Sequence, residues 1–104
     1  MTTTPKHDTL QTMRLLIKGR VQGVGYRAWC VDAARRLGVL GWVRNRSDGS
    51  VEALVYGPAP EVNALIEACK TGPGLARVTA VNAEEMDEFE ETPEGFQQRP
   101  THGL

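Results

Sequence analysis

The segment that most constrains the fold is residues 19–27, which read Gly-Arg-Val-Gln-Gly-Val-Gly-Tyr-Arg. It lies between a short apolar run at residues 15–17 and a helical pattern that begins near Tyr26. Three glycines at this junction predict a turn from a strand into a helix with an uncovered backbone. The first N–H groups of a helix lack partners inside it, and the dipole favours negative charge there. With Arg27 in the first turn, the segment predicts a phosphate-binding loop.

Length and composition limit the classes of protein to which this chain can belong. With 104 residues it can form one domain around a single core. Its net charge of −1 argues against broad electrostatic binding of nucleic acid. No apolar stretch approaches the ~18 residues that span a bilayer, and the N-terminus lacks the apolar core of a signal peptide. We therefore expect a cytoplasmic monomer with no nucleic-acid or membrane partner.

Hydrophobic periodicity predicts two helices and four or five strands. A strand is predicted at residues 13–19 and a helix at residues 26–37. Apolar runs at residues 39–45 and 51–56 flank Asp48 and the glycine that follows it, which is a strong hairpin signal. The remaining predicted elements are a second helix opening at 57–61, a strand at 76–86, an acidic, solvated strand end and loop at 84–94, and a short final strand at 96–99.

This order, βαββαβ with a short fifth strand, predicts an α+β fold of the ferredoxin-like kind, an antiparallel sheet with two helices on one face. The domain is expected at residues 12–99, after a disordered leader at 1–11 and before a tail at 100–104. In this topology the loop after the first strand and the end of the second lie at one edge of the sheet. One strand separates them, which places them about 10 Å apart. The phosphate loop is therefore expected to face Asn45 and the hairpin turn.

Arg27 and Asn45 are the two side chains at that edge with chemistry suited to an anion site. Arg27 lies roughly 100° from the apolar stripe of its helix. Helical side chains lean toward the N-terminus, so its guanidinium is expected over the glycines; the alternative is a solvated or ion-paired surface arginine. The Asn45 carboxamide has donors and an acceptor and can hold a water that faces the loop. Its alternative role is to cap the backbone of the turn.

The other polar residues give weaker signals. His7 and His102 lie in the predicted ends of the chain, and the acids show no metal-ligand spacing, so no metal is expected. Cys30 and Cys69 fall in apolar helical patterns and are expected as buried thiols, with a disulfide as the alternative. Three further arginines either enlarge the positive patch or are solvated hairpin charges: Arg20, Arg44 and Arg46.

Two segments together closely resemble the signature motifs of the acylphosphatase family. They are residues 19–27 and residues 41–51, which read Gly-Trp-Val-Arg-Asn-Arg-Ser-Asp-Gly-Ser-Val. The resemblance extends over residues 13 to about 99 and includes Val-Tyr-Gly-Pro at 55–58. It implies a hydrolase that converts a small-molecule acyl phosphate, a mixed anhydride of a carboxylic and a phosphoric acid, into a carboxylate and inorganic phosphate.

The resemblance also implies roles for individual residues. Asn45 orients the attacking water, Arg27 binds the phosphoryl group, and no metal, other cofactor or phospho-enzyme takes part. The backbone N–H groups implied in phosphate binding belong to Gln22, Gly23, Val24, Gly25, Tyr26 and Arg27.

The chain departs from the family pattern in its last strand, and two other functions stay open. The family usually has an aromatic residue and then an aliphatic one two positions later, whereas this chain has Phe96 and Gln98. The departure predicts a weaker or more exposed strand. One alternative function is a non-catalytic ferredoxin-like module that binds an anion or RNA, although an RNA-recognition sheet would show paired aromatics on its central strands. The other is a stand-alone relative of the acylphosphatase-like domain of larger maturation proteins.

Overall fold

A computed structural model describes residues 9–87 and 93–102. The described chain confirms the predicted α+β order and the ferredoxin-like fold, with a fifth strand at the end. None of the helices in these ranges is long and apolar enough to cross a membrane. The elements in chain order are β1 (Leu10–Arg20), α1 (Tyr26–Leu37), β2 (Leu40–Asn45), β3 (Val51–Pro58), α2 (Ala59–Cys69), β4 (Arg77–Met86) and β5 (Phe96–Gln98).

The ends of the domain differ from the predicted boundaries. Strand β1 begins at Leu10, where Leu10 and Gln11 pair with Pro58 and Gly57 instead of belonging to a leader. The other leader residues, 1–8, lie outside the described residues, as do residues 88–92 of the acidic run and the last two residues of the tail.

The sheet has the strand order β4-β1-β3-β2-β5. Because β3 lies between β1 and β2, the loop after β1 and the end of β2 share one edge, as predicted. The expectation of an antiparallel sheet is wrong at the other side of β2, where β5 pairs with β2 in parallel. Strand β4 runs antiparallel to β1, so the chain leaves β4 at the edge opposite the glycine loop. It therefore enters β5 from that edge and runs in the direction of β2.

The core lies between the helix-bearing face of the sheet and the two helices. Alternate residues of the strands point into it, and its largest fully buried side chains include Tyr26, Phe96, Leu15, Ile17 and Leu65. Each fully buried aliphatic or aromatic side chain of this kind stabilises the fold by about 1.5–3 kcal/mol. Helix α1 therefore has a fixed position over the sheet, and its first residue, Tyr26, belongs to the core.

Cys30 and Cys69 are free and fully buried, which confirms the expectation of core thiols. Hydrogen bonding between the two thiols, together with burial, raises the pKa of Cys30. The same hydrogen bond lowers the pKa of Cys69. The two cysteines thus join α1 to α2 by a contact between side chains inside the core.

The face of the sheet opposite the helices carries a buried carboxylate under three arginines. Glu52 of β3 is only 4% exposed. Its Oε2 accepts from Arg14 Nε at 2.7 Å, and its Oε1 accepts from Arg44 Nε at 2.8 Å and from Arg46 Nη1 at 3.4 Å. Burial alone would raise the pKa of Glu52, but the hydrogen bonds and charges of Arg44 and Arg14 hold it below its ordinary value. This cluster ties three adjacent strands together.

Replacing Glu52 tests how much this cluster stabilises the fold. Glu52→Gln should lower the free energy of unfolding by about 2 kcal/mol, because three guanidinium groups lose their charged partner. The pKa of Glu52 is lower in the folded state, so the folded state binds fewer protons. The stabilisation is therefore complete above about pH 5 and disappears as pH falls through the folded-state pKa. Denaturant titrations of wild type and variant at several pH values measure the difference.

Glu84→Gln is the matched control. Glu84 is 69% exposed on the side chain and lies 4.0 Å from Arg14 Nη1, so its loss should change stability by about 0.5 kcal/mol or less. Equal effects of the two substitutions, or an effect of Glu52→Gln that does not shrink in acid, would contradict the role given to Glu52.

Candidate active site

The loop between β1 and α1 leaves open space above its glycines. Gly23 and Gly25 have φ angles of 74° and 79°, a conformation that side chains with a Cβ rarely adopt. A Cβ added at either position would meet nothing within 4 Å. The two glycines are therefore required by the backbone and not by crowding. Turns of this kind direct successive N–H groups toward a common point and form concave anion sites.

The start of α1 adds further N–H donors to this loop. Gly25 is the N-cap residue and provides no side-chain cap, and the first turn contains no acidic residue. The first intrahelical bond runs from the N–H of Trp29 to the carbonyl of Gly25 at 3.0 Å. The N–H groups of the residues between them have no acceptor inside the helix. They point out of the helix end, where the dipole favours an anion.

The loop is anchored at both ends. At its start, Gln22 Nε2 donates to the carbonyls of Arg46 and Ser50, at 2.7 and 2.8 Å, and so joins the loop to the β2–β3 turn. At its end, the Tyr26 hydroxyl donates to the carbonyl of Cys69 at 2.6 Å. Burial raises the pKa of Tyr26, which keeps this donor protonated. The position of the glycines relative to the sheet edge is thereby fixed.

A cavity of about 150 Å³ lies between this loop and the ends of β2 and β5. It brings Arg27 and Asn45 together, as the topology predicts. None of the lining residues carries a carboxylate; they are Val21, Gly23, Gly25, Tyr26, Arg27, Ala28, Asn45 and Gln98. A larger cavity of about 320 Å³ lies beside the β2–β3 turn, but neither Arg27 nor Asn45 lines it. The smaller cavity is therefore the candidate site.

The ion-paired alternative for Arg27 and the capping alternative for Asn45 are not seen among the described residues, whereas the roles of both in the site stay predictions. In residues 9–87 and 93–102, neither the Arg27 guanidinium nor the Asn45 carboxamide has a hydrogen-bond or ion-pair partner. The turn is capped instead by Asp48, whose Oδ1 accepts from the Ser50 hydroxyl at 2.6 Å and from its backbone N–H at 2.9 Å. These hydrogen bonds lower the pKa of Asp48. Both candidate side chains therefore keep their hydrogen-bonding capacity for the cavity.

Other candidates lie apart from the cavity. The side chain of Gln22 points to the turn, and Val24 packs against the core. The assignment of their backbone N–H groups as phosphate ligands stays a prediction. Arg44 and Arg46 bind Glu52 on the opposite face of the sheet. The described part of the chain contains no group of three or more His, Cys, Asp or Glu that could hold a metal ion.

The segment after β5 is hydrogen-bonded to the strand that carries Asn45. The N–H of Arg99 donates to the carbonyl of Val43 at 2.8 Å, and that of His102 donates to the carbonyl of Asn45 at 2.9 Å. Residues 99–102, which were expected as part of β5 and the tail, are thus bonded to the backbone of β2. His7 lies outside the described residues.

Sequence reasoning missed three lining residues: Val21, Ala28 and Gln98. Gln98 could have been identified from the strand pattern. Residues two apart on a strand point to the same face, and Phe96 is buried in the core.

Known proteins resemble this chain over most of its length. The model of the family described as Acylphosphatase matches residues 13–98. An acylphosphatase from Acidiphilium cryptum (strain JF-5) is 53% identical over 89 residues, which cover 84% of this chain and 93% of that protein. The crystal structure of acylphosphatase from Bacillus subtilis superposes with a TM-score of 0.81 at 35% identity, over 88% of this chain and 99% of that one.

A longer protein contains a similar unit. The crystal structure of full-length HypF in the phosphate- and nucleotide-bound form matches with a TM-score of 0.83 and 26% identity. The match covers 91% of this chain and 12% of that chain. These findings do not favour the alternative of an RNA-binding module, and β1, a central strand of the sheet, contains no aromatic residue.

Gln22→Ala tests whether the loop needs its first anchor. The substitution removes two hydrogen bonds, so the free loop should become more mobile and its ordering should oppose anion binding. We expect the Kd of inorganic phosphate, measured by isothermal titration calorimetry, to rise about tenfold. Gln97→Ala, at an exposed glutamine of β5, is the control and should leave the Kd unchanged. A Kd for Gln22→Ala that stays within about twofold of wild type would contradict the anchoring role.

Proposed function

We propose a catalytic mechanism from one premise: the chain belongs to the acylphosphatase family. It is a hydrolase that converts acyl phosphates into a carboxylate and inorganic phosphate. The observation that carries our assignment of the site is a cavity that both Arg27 and Asn45 line.

In this proposal the phosphoryl group binds where the loop meets α1. Backbone N–H groups of residues 22–27 and the guanidinium of Arg27 hold its oxygens. The positive φ angles of Gly23 and Gly25, the open space above them and the lack of a carboxylate in the lining support this placement. Phosphoryl transfer depends chiefly on positioning and on stabilising charge on the equatorial oxygens. Donors fixed before the substrate arrives meet that need without reorganisation.

Asn45 is proposed to hold the attacking water in line with the bond that breaks. Its carboxamide has no protein partner among the described residues, and it can both accept from and donate to a water. The water oxygen forms the new bond to phosphorus while the bond from phosphorus to the acyl oxygen breaks. The carboxylate leaves with the electron pair and needs no general acid, and the water proton passes to an oxygen of the phosphoryl group itself.

We also propose that the enzyme acts as a cytoplasmic monomer on a small-molecule acyl phosphate, without nucleic-acid or membrane partners. The free thiols of Cys30 and Cys69 suit a reducing compartment.

Light scattering should give the molar mass of one chain, 11.4 kDa. A stable mass of twice that value would contradict the monomer.

Arg27→Gln should abolish most of the activity without unfolding the protein. Losing the one charged side chain among the described lining residues should lower kcat/KM for acetyl phosphate at least about 100-fold. The melting temperature should hardly change, because the Arg27 side chain has no partner among the described residues. Arg36→Gln is the control on the same helix, at a side chain that is 78% exposed. Activity of Arg27→Gln within a few-fold of wild type would remove Arg27 from the site.

Asn45→Ala should separate turnover from phosphate binding. We expect kcat to fall about 100-fold, because the water loses its fixed orientation. The inhibition constant of inorganic phosphate should stay within about threefold of wild type, because the loop and Arg27 remain. Steady-state kinetics with phosphate as inhibitor measure both constants, with Asn63→Ala on the exposed side of α2 as control. An unchanged kcat would contradict the water-holding role.

A further inference from the structure

Gln98 is a polar side chain of the cavity to which the mechanism above gives no role. It is the last residue of β5 and pairs with Val43 of β2. Since Phe96 is buried against the helices, the side chain two residues later points to the same face of the sheet. Gln98 therefore faces α1 and lines the cavity with Arg27 and Asn45.

The backbone of β5 is fixed relative to both neighbours of the cavity. On one side, Arg35 of α1 donates from Nε and Nη2 to the carbonyl of Phe96, at 3.2 and 3.0 Å. On the other side, the N–H of Arg99 donates to the carbonyl of Val43 at 2.8 Å. The Gln98 carboxamide itself has no hydrogen-bond partner within residues 9–87 and 93–102. A rigid backbone thus presents an uncommitted donor and acceptor to the cavity.

The register of β5 against β2 places two carboxamides around one position. Asn45 lies two residues beyond Val43, the partner of Gln98, on the neighbouring strand. With about 4.8 Å between strands and about 3.3 Å per residue along them, the Cα atoms of Asn45 and Gln98 are about 8 Å apart. Both side chains point to the helix-bearing face. Two groups that hydrogen-bond one water lie about 4.5 Å apart, or somewhat more if the angle at the water is wide, and this spacing accommodates such a water.

We propose that Gln98 is a second water-holding residue, whose carboxamide accepts a hydrogen bond from the same attacking water that Asn45 orients. This inference rests on the proposed function of the site. A water held by one carboxamide can still rotate about that contact, whereas a second contact fixes the direction of its lone pair toward phosphorus. Gln98 thereby restricts the water to orientations that permit in-line attack, and the phosphoryl group keeps its own donors on the loop and Arg27.

Gln98→Leu tests this role by removing the polar group at nearly constant volume. We expect kcat for acetyl phosphate to fall about fivefold, the effect of one neutral hydrogen bond lost from the transition state. The inhibition constant of inorganic phosphate should stay within about twofold of wild type. Gln97→Ala is the control, because Gln97 pairs with Trp42 and points to the opposite face. Gln98→Ala is a second variant, and thermal melts confirm that both are folded.

The double variant Asn45→Ala/Gln98→Leu gives a readout that a structural role would not produce. If both residues hold the same water, adding Gln98→Leu to Asn45→Ala should lower kcat by no more than about twofold further. Multiplied effects would overturn the shared-water role. A kcat for Gln98→Leu within about twofold of wild type, or a phosphate inhibition constant that rises with it, would also overturn it.

The same measurements on Arg27→Gln separate this inference from the proposed site. An active Arg27→Gln enzyme means that the site itself is misassigned. An inactive Arg27→Gln enzyme beside a fully active Gln98→Leu enzyme overturns only the role of Gln98.

Discussion

The site depends on a loop that is held at both ends and left open in the middle. Gln22 joins its start to the β2–β3 turn, and Tyr26 joins its end to the last residue of α2. Between these anchors, Gly23 and Gly25 adopt positive φ angles, and the space where a Cβ would lie is open at both. The loop conformation is therefore fixed when the protein folds, and binding an anion does not require the loop to become ordered. Donors arranged in advance stabilise charge more effectively than donors that must first reorganise.

The two faces of the sheet keep the buried carboxylate of Glu52 apart from the cavity that Arg27 lines. On the open face, the single carboxylate of Glu52 binds Arg14, Arg44 and Arg46 and offsets part of their positive charge. On the face toward the helices, the described residues of the cavity lining include Arg27 and no acid. A carboxylate beside Arg27 would pair with it and repel a phosphoryl group. Alternation along β2 achieves the separation, because Arg44 and Asn45 are neighbours in sequence that point to opposite faces.

Local signals predicted the fold and the shared edge of the site, whereas long-range contacts escaped prediction. The helix at Tyr26 and the hairpin at Asp48 follow from periodicity and glycine placement, and topology then brings Asn45 to the loop. The anchoring of the loop by Gln22 could not be predicted from the sequence, because its acceptors are carbonyl groups 24 and 28 residues away. The burial of Glu52 gave no signal in the sequence, because it depends on arginines from two neighbouring strands.

The parallel direction of β5 was missed for a related reason. Three residues are too few for a periodic signal, and the direction follows from where the chain leaves β4. Its consequence is chemical, because this direction places Gln98 beside the cavity at the end of β2.

With about 150 Å³, the cavity is smaller than the roughly 300–1,000 Å³ of sites that enclose a whole small molecule. It suits a phosphoryl group and a water, so we expect the acyl group to extend beyond the lining. We therefore expect selectivity to come from the reactivity of the bond that breaks. An anhydride releases a carboxylate without help, whereas a phosphate ester would release an alkoxide that needs a proton. Because no described lining residue is an acid, we expect the proposed site to favour leaving groups that need no proton.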